Sequence, residues 1–78
     1  MYYVYVLKCN NNSTYTGCTH DLKERYLRHV KGHVPATMSL LPVELIFYCA
    51  FMNKFKAFEF EKYLKSGSGR AFMKKRFL

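Results

Sequence analysis

A chain of 78 residues has room for one small domain; at that length about 60% of the unfolded surface is buried, so any chemistry is expected on an open face. Half of the residues are hydrophobic and 18% are aromatic, which excludes a disordered chain. Thirteen basic residues against five acidic ones leave a net charge of +8, which points to a polyanionic partner, nucleic acid ahead of an acidic membrane surface.

Residues 2–8, YYVYVLK, are predicted as a strand. Tyr3, Tyr5 and Leu7 line one face; Tyr2, Val4, Val6 and Lys8 line the other. Both faces are largely apolar, as in a central strand covered on both sides. Asn10-Asn11-Asn12-Ser13 is turn chemistry, and a second short strand follows, with Gly17 ending it at a bend or a close backbone approach. Two registers are open. A four-residue loop, 10–13, pairs Cys9 with Thr14 and sets Tyr5 and Tyr15 on opposite faces. A five-residue loop, 9–13, pairs Lys8 with Thr14 and Tyr5 with Gly17, and both tyrosines then share a face.

A helix is expected from about residue 19. Thr19 or Asp21 caps it, Leu22, Tyr26 and Val30 form its apolar stripe, and Gly32 closes it at C′. Residues 32–42, with two prolines, form a long loop of the kind that often carries function. A third strand over 43–51 alternates Val43, Leu45, Phe47, Cys49 and Phe51 with Glu44, Ile46, Tyr48 and Ala50. Asn53 caps a second helix running to about Ser66, Gly67-Ser68-Gly69 breaks it, and Ser68 caps a last helix from Arg70 to Phe77. The order ββαβαα gives an α+β fold, a three-stranded antiparallel sheet flanked by helices, in one domain over residues 1–78.

The three cysteines are irregularly spaced and unpaired by pattern, which fits a reducing, cytoplasmic setting. With His20, His29 and His33 they match no zinc-finger spacing. Met1 leads straight into a strand, so no signal peptide is expected. No apolar run approaches the roughly 18 residues of a membrane span.

Three residues stand out chemically. Arg25 and His29 share one helix face at i and i+4, though a solvated basic face would look the same. Glu61 lies with Ala57, Phe60 and Leu64 on one face of the second helix, so its carboxylate sits in or at the rim of an apolar stripe. It needs a cationic side chain, a metal ion or a reach to water. Glu59 lies opposite, among solvated neighbours.

Tyr3-Val4-Tyr5 followed by Tyr15-Thr16-Gly17 resembles the paired half-motifs of the GIY-YIG nuclease family, in its small single-domain branch. Arg25, His29, Glu61 and the segment AFEFEKYLKSGSGR (residues 57–70) extend the resemblance over nearly the whole chain. Tyr3 replaces the first glycine of one half-motif and Thr16 the isoleucine of the other; both are packing positions. The resemblance selects the five-residue loop, because the motif requires both hydroxyls on one face.

The resemblance implies a DNA nuclease of repair or processing type. Tyr5 is then the general base, Arg25 the transition-state stabiliser, Tyr15 the group that orients the phosphate, and His29 a partner of Tyr5 or of the phosphate. Glu61 is then the ligand of one divalent ion, Mg²⁺ or Mn²⁺. Bringing a phenol from about 10 to about 7 takes roughly 4 kcal/mol of preference for the anion, for which Arg25, the metal and a charged His29 are the candidate sources. Lys8, Gly17, Arg28, Lys31, Arg70, Lys74 and Lys75 are the candidate nucleic-acid contacts. A monomer, no membrane association and a protein partner supplying specificity complete the expectation. The rival is a catalytically silent nucleic-acid-binding module on the same scaffold.

Overall fold

The strand formers of residues 2–8 become the middle of the sheet, because only a strand buried on both faces can shelter so many of them. The computed structural model describes residues 1–78. Its elements are β1 (Tyr2–Lys8), β2 (Thr14–Thr19), α1 (Leu22–Val30), β3 (Glu44–Phe51), α2 (Lys54–Lys65) and α3 (Gly67–Arg76). The strands form one antiparallel sheet in the order β2-β1-β3, the α+β arrangement expected from the sequence.

Val4, Tyr5, Val6 and Leu7 are all essentially inaccessible. They feed two cores. Val4 and Val6 pack with Ala57, Leu64 and Met73 beneath α2 and α3. Tyr5 and Leu7 pack with Cys9 and Val43, covered by Leu22 and Tyr26 of α1 and by Leu40 and Leu41 of the 32–42 loop.

The hairpin adopts the five-residue loop. Lys8 pairs with Thr14 and Tyr5 with Gly17. The Cys9 N–H donates to the Ser13 carbonyl at 2.8 Å, and Asn12 takes the left-handed conformation, φ 66°, which asparagine tolerates better than most residues. Strand β2 does not stop at Gly17 but runs on to Thr19. Gly17 serves a close approach instead of a bend.

Three further elements depart from the sequence pattern. The β1–β3 pairing shifts between Val6 and Leu7, so Val6 faces Phe47 while Leu7 faces Leu45. This bulge sends Leu45 to the α1 core and Phe47 to the α2/α3 core, although simple alternation puts them on one face. On α1 the third stripe position, Val30, is exposed and His29 is buried in its stead. Helix α3 starts earlier than expected: Ser66 ends α2 and caps α3, accepting from the Gly69 N–H at 3.2 Å. Gly67 to Gly69 therefore form a first helical turn. Gly69 is needed there because a Cβ would collide with the Tyr63 carbonyl and lie 2.5 Å from Leu64 Cα, so the α2–α3 junction closes only on a bare backbone. Asp21 and Asn53 cap α1 and α2 as their sequence positions suggest.

Candidate active site

Cross-strand pairing of Tyr5 with Gly17 places the phenol ring over a residue without a side chain. The gap is used fully: a Cβ at Gly17 would lie 2.5 Å from both Cζ and Oη of Tyr5. The ring therefore crosses β2 and brings its hydroxyl 2.9 Å from His29 Nε2 on α1. Tyr15, two residues before Gly17, lies over the pair, its ring centroid 6.3 Å from Tyr5 and 5.1 Å from His29. Both tyrosines share the α1 face of the sheet, as the five-residue loop requires.

Behind His29 stands a residue the sequence did not single out. Thr37, in the middle of the 32–42 loop, holds His29 Nδ1 through its Oγ1 at 2.7 Å. Tyr5, His29 and Thr37 are each 0% exposed, so the three form one buried hydrogen-bonded chain from sheet to helix to loop. Only the length of that loop hinted at a function here.

Arg25 lies one turn before His29 and is half-buried, its Nε enclosed without a hydrogen-bond partner. Its charge reaches Tyr5, His29 and Cys18. Glu61 of α2 is half-buried and pairs with Lys65 at 3.1 Å; its charge reaches Tyr5 and Cys18. The helix stripe that led to Glu61 is real, with Ala57 and Leu64 buried on either side of it. Tyr5, Tyr15 and His29 therefore gather at the Gly17 stretch of β2, and the charges of Arg25 and Glu61 act on Tyr5 and Cys18.

The electrostatics differ from the expectation for a phenol drawn toward neutrality. Burial, then Tyr15, pushes Tyr5 up from 10.0 to about 12, with Glu61 adding to the rise and Arg25 opposing it. His29 is held below 6.5 by burial and by Arg25 and Arg28. Burial and the arginines thus bias the ring to its neutral form and away from supplying Tyr5 with a cation. It supplies an imidazole nitrogen instead.

A stability prediction follows for His29. The folded chain keeps the ring neutral where the unfolded chain takes up a proton, so stability is full above about 6.5 and falls as pH drops below it. The slope from this one group reaches at most about 1.4 kcal/mol per pH unit. Thermal unfolding from pH 8 to 5 is expected to show that loss in the wild type, and His29→Gln is expected to remove this part of it.

The candidate nucleic-acid contacts divide. Arg70 and Lys74, with Lys65, line a groove of about 850 Å³ between α3 and the hairpin segment Asn12–Thr16, and Tyr15 forms part of its wall. Lys8, Lys31 and Lys75 are exposed but lie outside it, and Arg28 is engaged by Glu24 at 3.8 Å. Gly17 is buried beneath the Tyr5 ring. No group of three or more His, Cys, Asp or Glu side chains is gathered as a metal cage. Glu61 alone presents a carboxylate here, a donor set that suits an ion otherwise satisfied by waters and a substrate phosphate. No helix is long and apolar enough to cross a membrane.

Comparison with known proteins finds relatives that share this fold. A family model described as the GIY-YIG catalytic domain matches residues 1–76. The chain is 41% identical over 66 residues to the UPF0213 protein CPE1444 of Clostridium perfringens, covering 83% of this chain and 71% of that protein. It is 42% identical over 65 residues to the UPF0213 protein YazA of Bacillus subtilis, covering 82% and 66% respectively. The solution NMR structure of the UPF0213 protein BH0048 from Bacillus halodurans superposes with a TM-score of 0.61 at 32% identity, over 96% of this chain and 84% of that one.

Proposed function

The chain belongs to the GIY-YIG catalytic-domain family, and from that membership we propose that it is a metal-dependent nuclease hydrolysing phosphodiester bonds of DNA. The observation that carries the reading is a single buried hydroxyl. Tyr5 Oη is hydrogen-bonded to His29, roofed by Tyr15, and within the electrostatic reach of both Arg25 and Glu61.

In this reading Tyr5 Oη takes the proton of the attacking water as its own proton passes to His29 Nε2. A phenol at about 12 is too weakly ionised to act alone at neutral pH, and the neighbouring imidazole lets the proton move on without a free phenolate being formed first. Arg25 offsets the charge that gathers on the phosphorus oxygens, and Tyr15 orients the phosphate. Glu61, paired with Lys65 here, would hold one divalent ion, Mg²⁺ or Mn²⁺, which would supply charge stabilisation at the phosphate. Arg70 and Lys74 hold the nucleic-acid backbone along the α3 groove, a contact independent of sequence. DNA repair or processing, a cytoplasmic setting, and action as a monomer with a partner that adds specificity go with this reading.

One set of observations favours the rival, a silent binding module. Tyr5 is fully buried and pushed up rather than down, and Glu61 is already engaged by Lys65. Labelled single-stranded, duplex and branched DNA with Mg²⁺ or Mn²⁺ separates the two. The nuclease reading expects cleavage that falls by about 100-fold or more in Glu61→Gln, the upper end of the loss seen when even an outer partner of a metal ligand is removed. Binding without cleavage in the wild type supports the silent module.

A further inference from the structure

The buried chain Tyr5–His29–Thr37 raises the question of where the single imidazole proton sits. We propose that Thr37 is a positioning residue that acts through His29: it holds the ring in the tautomer protonated on Nδ1 and so leaves Nε2 as the acceptor for the Tyr5 hydroxyl. Its catalytic consequence rests on the nuclease reading; the tautomer itself does not.

A neutral imidazole offers one N–H and one lone pair, and two hydroxyls face it, at 2.9 Å on Nε2 and 2.7 Å on Nδ1. The two hydroxyls are not equivalent. A phenol is far more acidic than an aliphatic alcohol, with a reference pKa near 10, so it is the stronger donor. Its oxygen, conjugated with the ring, is the weaker acceptor. The best pairing gives the phenolic proton to the nitrogen lone pair and the N–H to the alcohol oxygen. Tyr5 O–H therefore donates to Nε2, and Nδ1–H donates to Thr37 Oγ1.

The loop is built to keep that oxygen in place. The Thr37 N–H donates to the Val34 carbonyl at 3.1 Å, and its carbonyl accepts from the Leu40 N–H at 2.9 Å. The loop end is tied to the hairpin, where Asn10 donates through its backbone N–H to the Leu40 carbonyl at 2.9 Å and through Nδ2 to the Leu41 carbonyl at 2.6 Å. When Tyr5 takes a proton from water, its own proton moves to Nε2. The resulting imidazolium keeps its second N–H on Thr37, and the ring returns one proton to solvent after turnover, so the protons balance.

Nitrogen-15 NMR of the His29 side chain in the full chain tests this directly. The wild type is expected to show a protonated Nδ1 and a bare, hydrogen-bonded Nε2. Thr37→Ser, which keeps the oxygen, is expected to preserve that signature, and Thr37→Val to lose it by mixing tautomers or releasing the ring. In cleavage assays Thr37→Val is expected to lose about 10- to 100-fold, as for other groups that orient a reacting residue, with recovery in Thr37→Ser. A proton found on Nε2 in the wild type overturns the proposal, and so does an unchanged tautomer in Thr37→Val. Should Thr37→Val not fold, the wild-type and Thr37→Ser spectra decide it alone. Absence of cleavage by the wild type would remove the nuclease reading and leave the tautomer result standing.

Discussion

Tyr5→Phe is expected to lower DNA cleavage by about 10³-fold, within the range that a positioned acid–base group contributes, while the domain stays folded. The substitution removes one oxygen and keeps the ring that fills the space over Gly17 and beneath Tyr15. It also leaves His29 Nε2 without its hydroxyl partner, which costs about 1–3 kcal/mol for a buried polar atom. Thermal unfolding should register that loss without collapse of the far-UV dichroism. The wild type should hold its cleavage rate above pH 6.5 and lose it as pH falls well below that value, because a protonated His29, whose pKa lies below 6.5, can no longer accept the proton of Tyr5. Full activity in Tyr5→Phe would take this hydroxyl out of the mechanism.

The second large effect is expected from the smallest substitution. Gly17→Ala adds one methyl group, yet that carbon would lie 2.5 Å from Cζ and Oη of Tyr5 and 2.9 Å from Cε1. The ring has nowhere to yield, being fully buried and held at its far end by His29. Forcing a carbon into such a site costs about 1–3 kcal/mol. The displaced hydroxyl should also lose its hydrogen bond, and a shift of about 1 Å in a reacting group can cost about 100-fold in rate. Chemical denaturation and cleavage measured on the same preparation check both. A Gly17→Ala chain as stable and as active as the wild type would mean that the Tyr5 ring does not rest on this backbone. Gly17 thus links fold and site: the second half-motif ends in glycine because the tyrosine of the first needs the space.

Much of this was legible in the chain. The three strands, the capped helices and the order ββαβαα follow from local rules: which residues favour extended backbone, which side chains cap a helix, where asparagine and glycine cluster. Glu61 could be found because helical periodicity alone puts a carboxylate among Ala57, Phe60 and Leu64. Arg25 and His29 could be placed on one face of a helix, but that spacing alone did not separate them from a solvated basic side.

What periodicity cannot carry is an interaction that depends on the path of a distant loop or on one extra residue in a ladder. The bulge opposite Val6 and Leu7 separates Leu45 from Phe47 only once β3 has docked on β1. Strand pairing continued past Gly17 because the Tyr5 ring, not a bend, fills the space above it. Burial reversed the expected direction for Tyr5, where loss of water outweighs the pull of Arg25, and for His29 burial acts together with Arg25 and Arg28 to favour the neutral ring. Thr37 is eight residues from His29 along the chain, and no local pattern marks it as that residue's partner. The amino-acid order by itself determined the elements and which reactive side chains exist. The tertiary structure decided which of them touch and where their protons go, because hydrogen bonding and desolvation act between atoms brought together in space, whatever their separation in sequence.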